Sequence, residues 1–104
     1  MRKEVNEMKY HVSATQVRLV PQEMAGLWPK AKEWTDKALA DGIIDWHYIT
    51  VTGHVGLAII NADSHEELWE IIVTHPFYPF MEWKVEAISD WTFVYEKAIA
   101  RMHA

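Results

Sequence analysis

The chain contains no cysteine. Disulfides, thiolate metal sites and cysteine nucleophiles are therefore excluded, and the composition fits a cytoplasmic protein. Cations are scarce: ten Lys and Arg stand against fifteen Asp and Glu, a net charge of −5. A nucleic-acid surface would need clustered Lys and Arg instead. No apolar run approaches the ~20 residues that span a bilayer. The start, MRKEVNEMKY, has basic residues but no apolar core behind them, so it does not read as a secretory signal. Glycine and proline number only four each, and no linker, low-complexity run or internal repeat breaks the chain. No HExxH, Gly-rich phosphate loop or GxSxG elbow occurs, and no His pair has the i, i+4 spacing of a zinc helix. Neither a metal nor a cofactor is expected.

What is present is a globular composition of 104 residues, half of them hydrophobic, with six Trp. That length supports one domain with a real core and is too short for two. Trp favours cores, pockets and interfaces, because it brings large area and an N–H that needs a partner.

Residues 1–7 are polar and read as a frayed end. From Met8 to Ala14 the chain alternates, with Met8, Tyr10, Val12 and Ala14 on one side and Lys9, His11 and Ser13 on the other, as in a half-buried strand. A helical pattern runs from Pro21 to about Ala40, with Met24, Leu27, Ala31, Trp34, Ala38 and Leu39 on one stripe. Pro29 either kinks it or marks its first turn, and Gly42 suits the C-cap. Ile43 to Thr52 and Val55 to Ala62 read as strands joined by a turn at Gly53-His54. Ser64 and Glu67 form a capping box for the next helix, which Pro76 ends. Met81 to Ile88 alternates as a fourth strand, and Ser89 or Asp90 caps a last helix over 89–104. Met24, Met81 and Met102 sit at core spacing.

The order is βαββαβ with an added C-terminal helix, a single α+β domain of the ferredoxin-like kind over residues 1–104. The first strand lies centrally, beside the third and fourth. Two helices cover one sheet face and leave the other bare, so pairing with a second copy is expected.

Alternation then assigns faces. His11 and Ser13 of the first strand, and Glu82, Lys84 and Glu86 of the fourth, share the open face. Closed by a second subunit, that face becomes a pocket where a His near a carboxylate can act as general base or acid. The same residues also describe an ordinary polar sheet face with cross-strand ion pairs. His54, in a Gly-flanked turn, could line a pocket mouth. His65 reads as a solvated first-turn residue and His75 as packing at a helix end. The aromatic turn around Tyr78 reads as a rim or interface element.

The segment from Ser64 to Trp83 resembles the muconolactone isomerase family. Its HPFYPFMEW turn, His75 to Trp83, keeps that family's two prolines, Met and acidic residue in register. Tyr10-His11-Val12 looks like the family's first-strand Phe-His-Val, and Gly42 and Gly53 match its turn glycines. The resemblance implies a dimeric α+β barrel and a cofactor-independent shift of a double bond in an unsaturated lactone. His11 and Glu82 are the two family-matching ionisable positions and are the expected catalytic residues; Ser13, Tyr48, His54, Tyr78 and Lys84 are expected around the substrate.

The departures are specific. Ala31 stands where the family has a helical Glu, Trp69 where it has a His, and a helix replaces its polar tail. The second strand, DWHYITVTG, lacks the family's Arg and carries one extra residue. These point to an isomerase or lyase for another small unsaturated lactone or carbonyl compound. The alternatives are a cofactor-independent oxygenase acting on aromatic or quinone substrates, and a non-catalytic binding module. The expected partners are a small molecule and a second copy of the chain, with no nucleic acid and no membrane.

Overall fold

The computed structural model describes residues 7–103. The polar start read as frayed lies, Glu7 apart, outside them. Strands β1 (Met8–Gln16), β2 (Ile44–Ile49), β3 (Val55–Ala62) and β4 (Met81–Ile88) form one antiparallel sheet in the order β2-β3-β1-β4. Helices α1 (Leu27–Ala40) and α2 (His65–Val73) lie on one face, and α3 (Trp91–Met102) follows β4. The fold is the expected ferredoxin-like βαββαβ unit plus a C-terminal helix. No described helix is long and apolar enough to cross a membrane.

The strand alternation holds. Tyr10, Val12 and Ala14 are buried toward the helices, where Tyr10 and Val12 meet Ile44, Ala58, Ile60, Leu68 and Ile72 in the core. The α2 start follows its sequence signal: the N-cap Ser64 Oγ accepts the Glu67 amide at 3.0 Å, and Glu67 Oε1 reaches one residue further back to accept the Asp63 amide at 2.9 Å, a variant of the capping box. Gly42 and Gly53 take positive φ, 75° and 80°, at the end of α1 and in the β2–β3 turn. That conformation is open to glycine because it has no Cβ.

Three expectations change. The pattern from Pro21 to Ala40 is not one helix: a 3-10 turn at Gln22–Met24 precedes α1. Pro29 is the third residue of α1, where its missing N–H costs no helical bond, so it lies in the first turn and makes no kink. Met24 and Met102 are exposed rather than core filler, and Met81 is half-buried. The strand expected over Ile43 to Thr52 is shorter, because the turn begins at Thr50, whose carbonyl accepts the Gly53 amide at 2.8 Å.

β2 also carries a bulge. Ile44 pairs with Ile60 and Trp46 with Ile59, so Asp45 is the extra residue. A bulge resets side-chain parity. Ile44 and His47 therefore both face the helices, while Trp46 and Tyr48 face the open side.

The bulge is held by a polar knot. Buried Asn61 accepts from Lys9 Nζ at 2.8 Å and donates Nδ2 to Asp45 Oδ1 at 2.7 Å and to the Gly42 carbonyl at 3.1 Å. Lys9 Nζ reaches Asp45 Oδ2 at 2.7 Å. Burial alone would raise the Asp45 pKa, but the bonds from Lys9 and Asn61 outweigh it and hold the carboxyl below its ordinary value. Asn61→Leu removes three bonds at once, each worth about 1 kcal/mol, so it is expected to cost about 3 kcal/mol. Urea unfolding at neutral pH measures it. A change within ~0.5 kcal/mol, as at an ordinary surface position, would show that the knot does not hold the bulge.

Candidate functional site

A cavity of about 330 Å³ lies between α1 and the helix-facing side of the sheet. A volume of that order is at the small end of ligand pockets. Its walls are apolar and aromatic: Trp28 and Trp34 come from α1, Phe77 from the proline turn and Trp83 from β4. The rings brace one another, Trp28 edge-on to Phe77 with centroids 4.5 Å apart and Trp34 edge-on to His75 at 4.8 Å. Trp34 Nε1–H donates to Thr74 Oγ1 at 2.9 Å, which ties α1 to the end of α2. At the cavity's edge Lys32 and Asp36, one turn apart, form an exposed 2.6 Å ion pair. That bond raises the Lys32 pKa.

Three histidines supply the polar groups: His47, His54 and His75. His47 points inward because of the Asp45 bulge. Its Nδ1–H donates to the Leu57 carbonyl at 3.0 Å. A carbonyl only accepts, so the proton sits on Nδ1 and the lone pair on Nε2. The ring lies over Gly56, where a Cβ would come within 3.3 Å of His47 Cε1. Glycine there makes room for the imidazole.

His75 has the opposite tautomer. Its Nδ1 accepts the Phe77 amide at 3.0 Å, so its proton sits on Nε2. Burial, helped by the nearby charge of His47, lowers its pKa to about 4. His75 is therefore neutral at ordinary pH and presents an N–H. The two histidines thus offer a lone pair and a donor to the same cavity.

The residues expected from sequence divide between two faces. His54 lines the cavity. Tyr78 stacks on Trp83 with centroids 5.9 Å apart, and its carbonyl accepts the Trp83 indole N–H at 3.2 Å, so it supports the wall. His11, Ser13, Tyr48, Glu82 and Lys84 lie on the open face of the sheet. There His11 stands opposite Glu86, Ser13 opposite Lys84, and Glu82 opposite Thr15. His11 and Glu82 are thus four residues apart along the strand direction, about 13 Å. The carboxylate facing His11 is Glu86. His11 also lies against Trp46, with ring centroids 6.4 Å apart.

Sequence reasoning passed over His47 and gave His75 only a packing role. The segment DWHYITVTG, which reads as one residue too long, is the one in which Asp45 forms the bulge. Among the described residues no cluster of His, Cys, Asp and Glu is arranged to hold a metal ion.

No family model and no curated protein matches this sequence. Among solved structures the chain is similar to a crystal structure of muconolactone isomerase, with a TM-score of 0.69 and 20% identity over 80% of this chain and 90% of that one. The fold is therefore muconolactone isomerase-like.

Proposed function

We propose that this chain is a cofactor-independent isomerase of a small unsaturated lactone or related carbonyl compound, with the cavity under α1 as its active site. The observation that carries the reading is the pair of fixed, opposite tautomers at His47 and His75. Moving a double bond next to a carbonyl needs a base, a donor for the enolate oxygen, and return of the proton. His47 Nε2 takes the proton from the carbon beside the carbonyl, and the freed electron pair runs into the carbonyl oxygen. His75 Nε2–H holds that oxygen. His47 then returns its proton to the far carbon of the allylic system, so the double bond moves and the enzyme is unchanged. The Trp and Phe walls exclude water and favour a flat, mostly apolar substrate. The likeness to muconolactone isomerase supports the reaction class; the departures in the sequence support a different substrate.

The open face remains the second reading, favoured by half-buried His11 with Glu86 directly across the strand pair. There His11 serves as base with Glu86, rather than the more distant Glu82, as the nearby acid, and Ser13, Tyr48 and Lys84 bind substrate, once a second copy closes the face into a barrel.

The test is to incubate the protein with unsaturated lactones in D2O and follow by NMR both the position of the double bond and deuterium at either end of the allylic system. Trp28, Trp34 and Trp83 report occupancy of the cavity by fluorescence quenching. Exchange accompanied by quenching is the expected result. Ligands that quench the indoles but neither exchange nor isomerise would leave a binding module instead.

A further inference from the structure

The cavity under α1 is closed at one end and open at the other. Its floor follows the pairing of β2 and β3, row by row. At the inner end Ile44 lies opposite Ile60, and both are buried, at 3% and 2% exposure. His47 lies opposite Ala58, one row further out. Ile49, opposite Gly56, is one row further again, ~7 Å toward the β2–β3 turn. There the cavity meets solvent: Ile49 is 59% exposed, and Trp28, in the first turn of α1, is 55% exposed.

The cavity is also larger than one ring requires. An apolar cavity of ~150 Å³ accepts benzene, so 330 Å³ leaves about as much space again beyond a five-membered lactone. With the carbonyl held between His47 and His75, a ring substituent has one direction to run. Ile44 and Ile60 close the inner end, so the substituent passes Ile49, Met81 and Trp28 toward the mouth.

No free charge waits for it there. Among the described residues lining the cavity, the only ionisable side chains besides the three histidines are Lys32 and Asp36. Their 2.6 Å bond leaves the pair with no net charge. Gln16, at the end of β1, donates its Nε2–H to the Arg18 carbonyl at 3.1 Å. The first turn of α1 is a poor anion site as well. The Trp28 N–H is bonded to the Ala25 carbonyl at 3.2 Å, and Pro29 has no N–H. A carboxylate drawn into this mouth loses water without gaining a cation, which is costly. A methylene chain gains burial instead.

We propose that the substrate is an uncharged unsaturated lactone carrying a short alkyl chain, with the ring at the histidines and the chain in the mouth between Ile49 and Trp28. The proposal rests on the isomerase reading of the cavity and adds to it the class of substituent.

Three β,γ-unsaturated five-membered lactones test it. At the carbon beside the ring oxygen they bear a methyl, a butyl or a 3-carboxypropyl group, the last two being chains of equal length. Binding is read by indole quenching at pH 8, where free histidine is neutral, and turnover by the position of the double bond in NMR spectra. Each fully buried methylene is worth about fourfold in affinity. The mouth is half open, so the butyl lactone is expected to bind ~10-fold more tightly than the methyl one. The carboxypropyl lactone is expected to bind no better than the methyl one. Ile49→Ser should shrink the butyl-to-methyl ratio about threefold; an unchanged ratio would overturn the route through the mouth. Equal binding of the butyl and methyl lactones, or a carboxypropyl lactone that matches the butyl one, would overturn the proposal whether or not the double bond moves. The expected ranking with no movement of the double bond has the opposite meaning: the ligand class is upheld and the isomerase reading falls.

Discussion

Acidification is expected to weaken the fold through His75, by ~3 kcal/mol between neutral pH and pH 4. The imidazole titrates near 6.5 when unfolded and near 4 when folded. Between those values the unfolded chain binds a proton that the folded chain refuses, so stability is full above about 6.5 and falls as pH drops toward 4. The physical reason is local. Trp34, Trp83 and Phe77 surround the ring, the Phe77 amide already occupies Nδ1, and His47 adds charge of the same sign. Protonation would place a cation in that aromatic enclosure. His75→Phe loses the bond to the Phe77 amide at every pH, a constant cost of about 1 kcal/mol. It should also flatten the fall in stability between pH 6.5 and 4. Urea unfolding of both proteins across that interval separates the two effects. Parallel curves for wild type and variant would show that His75 is protonated in the folded protein as readily as in the unfolded one.

Much of this arrangement was legible in the residues, and the parts that were not share a cause. β3 and β4 match their predicted bounds, because the alternation of Met81 to Ile88 and the apolar run of Val55 to Ala62 are local signals bounded by turns. The capping box at Ser64 is equally local. What depends on two segments at once was not legible. The Asp45 bulge needs Asn61 and Lys9, which are far away in sequence, and it decides which way His47 points. The sheet faces of β1 and β4 followed from alternation alone, so His11 and Glu82 fell on the open side as expected. The cavity formed on the other side, because α1 stands over β2 and leaves space that Trp28 and Trp34 border rather than fill. Exposure of α3, along its whole length, was hidden for a related reason. Its apolar stripe is a local pattern and does not say what stands against it.

His47→Ala is expected to lower proton exchange by about 10²–10⁴-fold, the usual cost of losing a general base. Binding should change far less, because the aromatic walls remain and Gly56 leaves the ring's place empty rather than blocked. His75→Phe should be milder. It removes one donor to the enolate oxygen, an effect of about 10²–10³-fold where such a donor is fully engaged, and it keeps the apolar wall. The informative comparison is with Asn61→Leu. Asn61 lines no part of the cavity, yet it holds the bulge that turns His47 inward, so this variant should lose turnover beyond its loss of folded protein. Measured under conditions where it remains folded, it should resemble His47→Ala in rate and the wild type in fluorescence quenching by ligand. His11→Ala gives the opposing outcome. If it removes exchange while His47→Ala leaves exchange intact, the chemistry belongs to the open face, and the cavity under α1 only supports the fold.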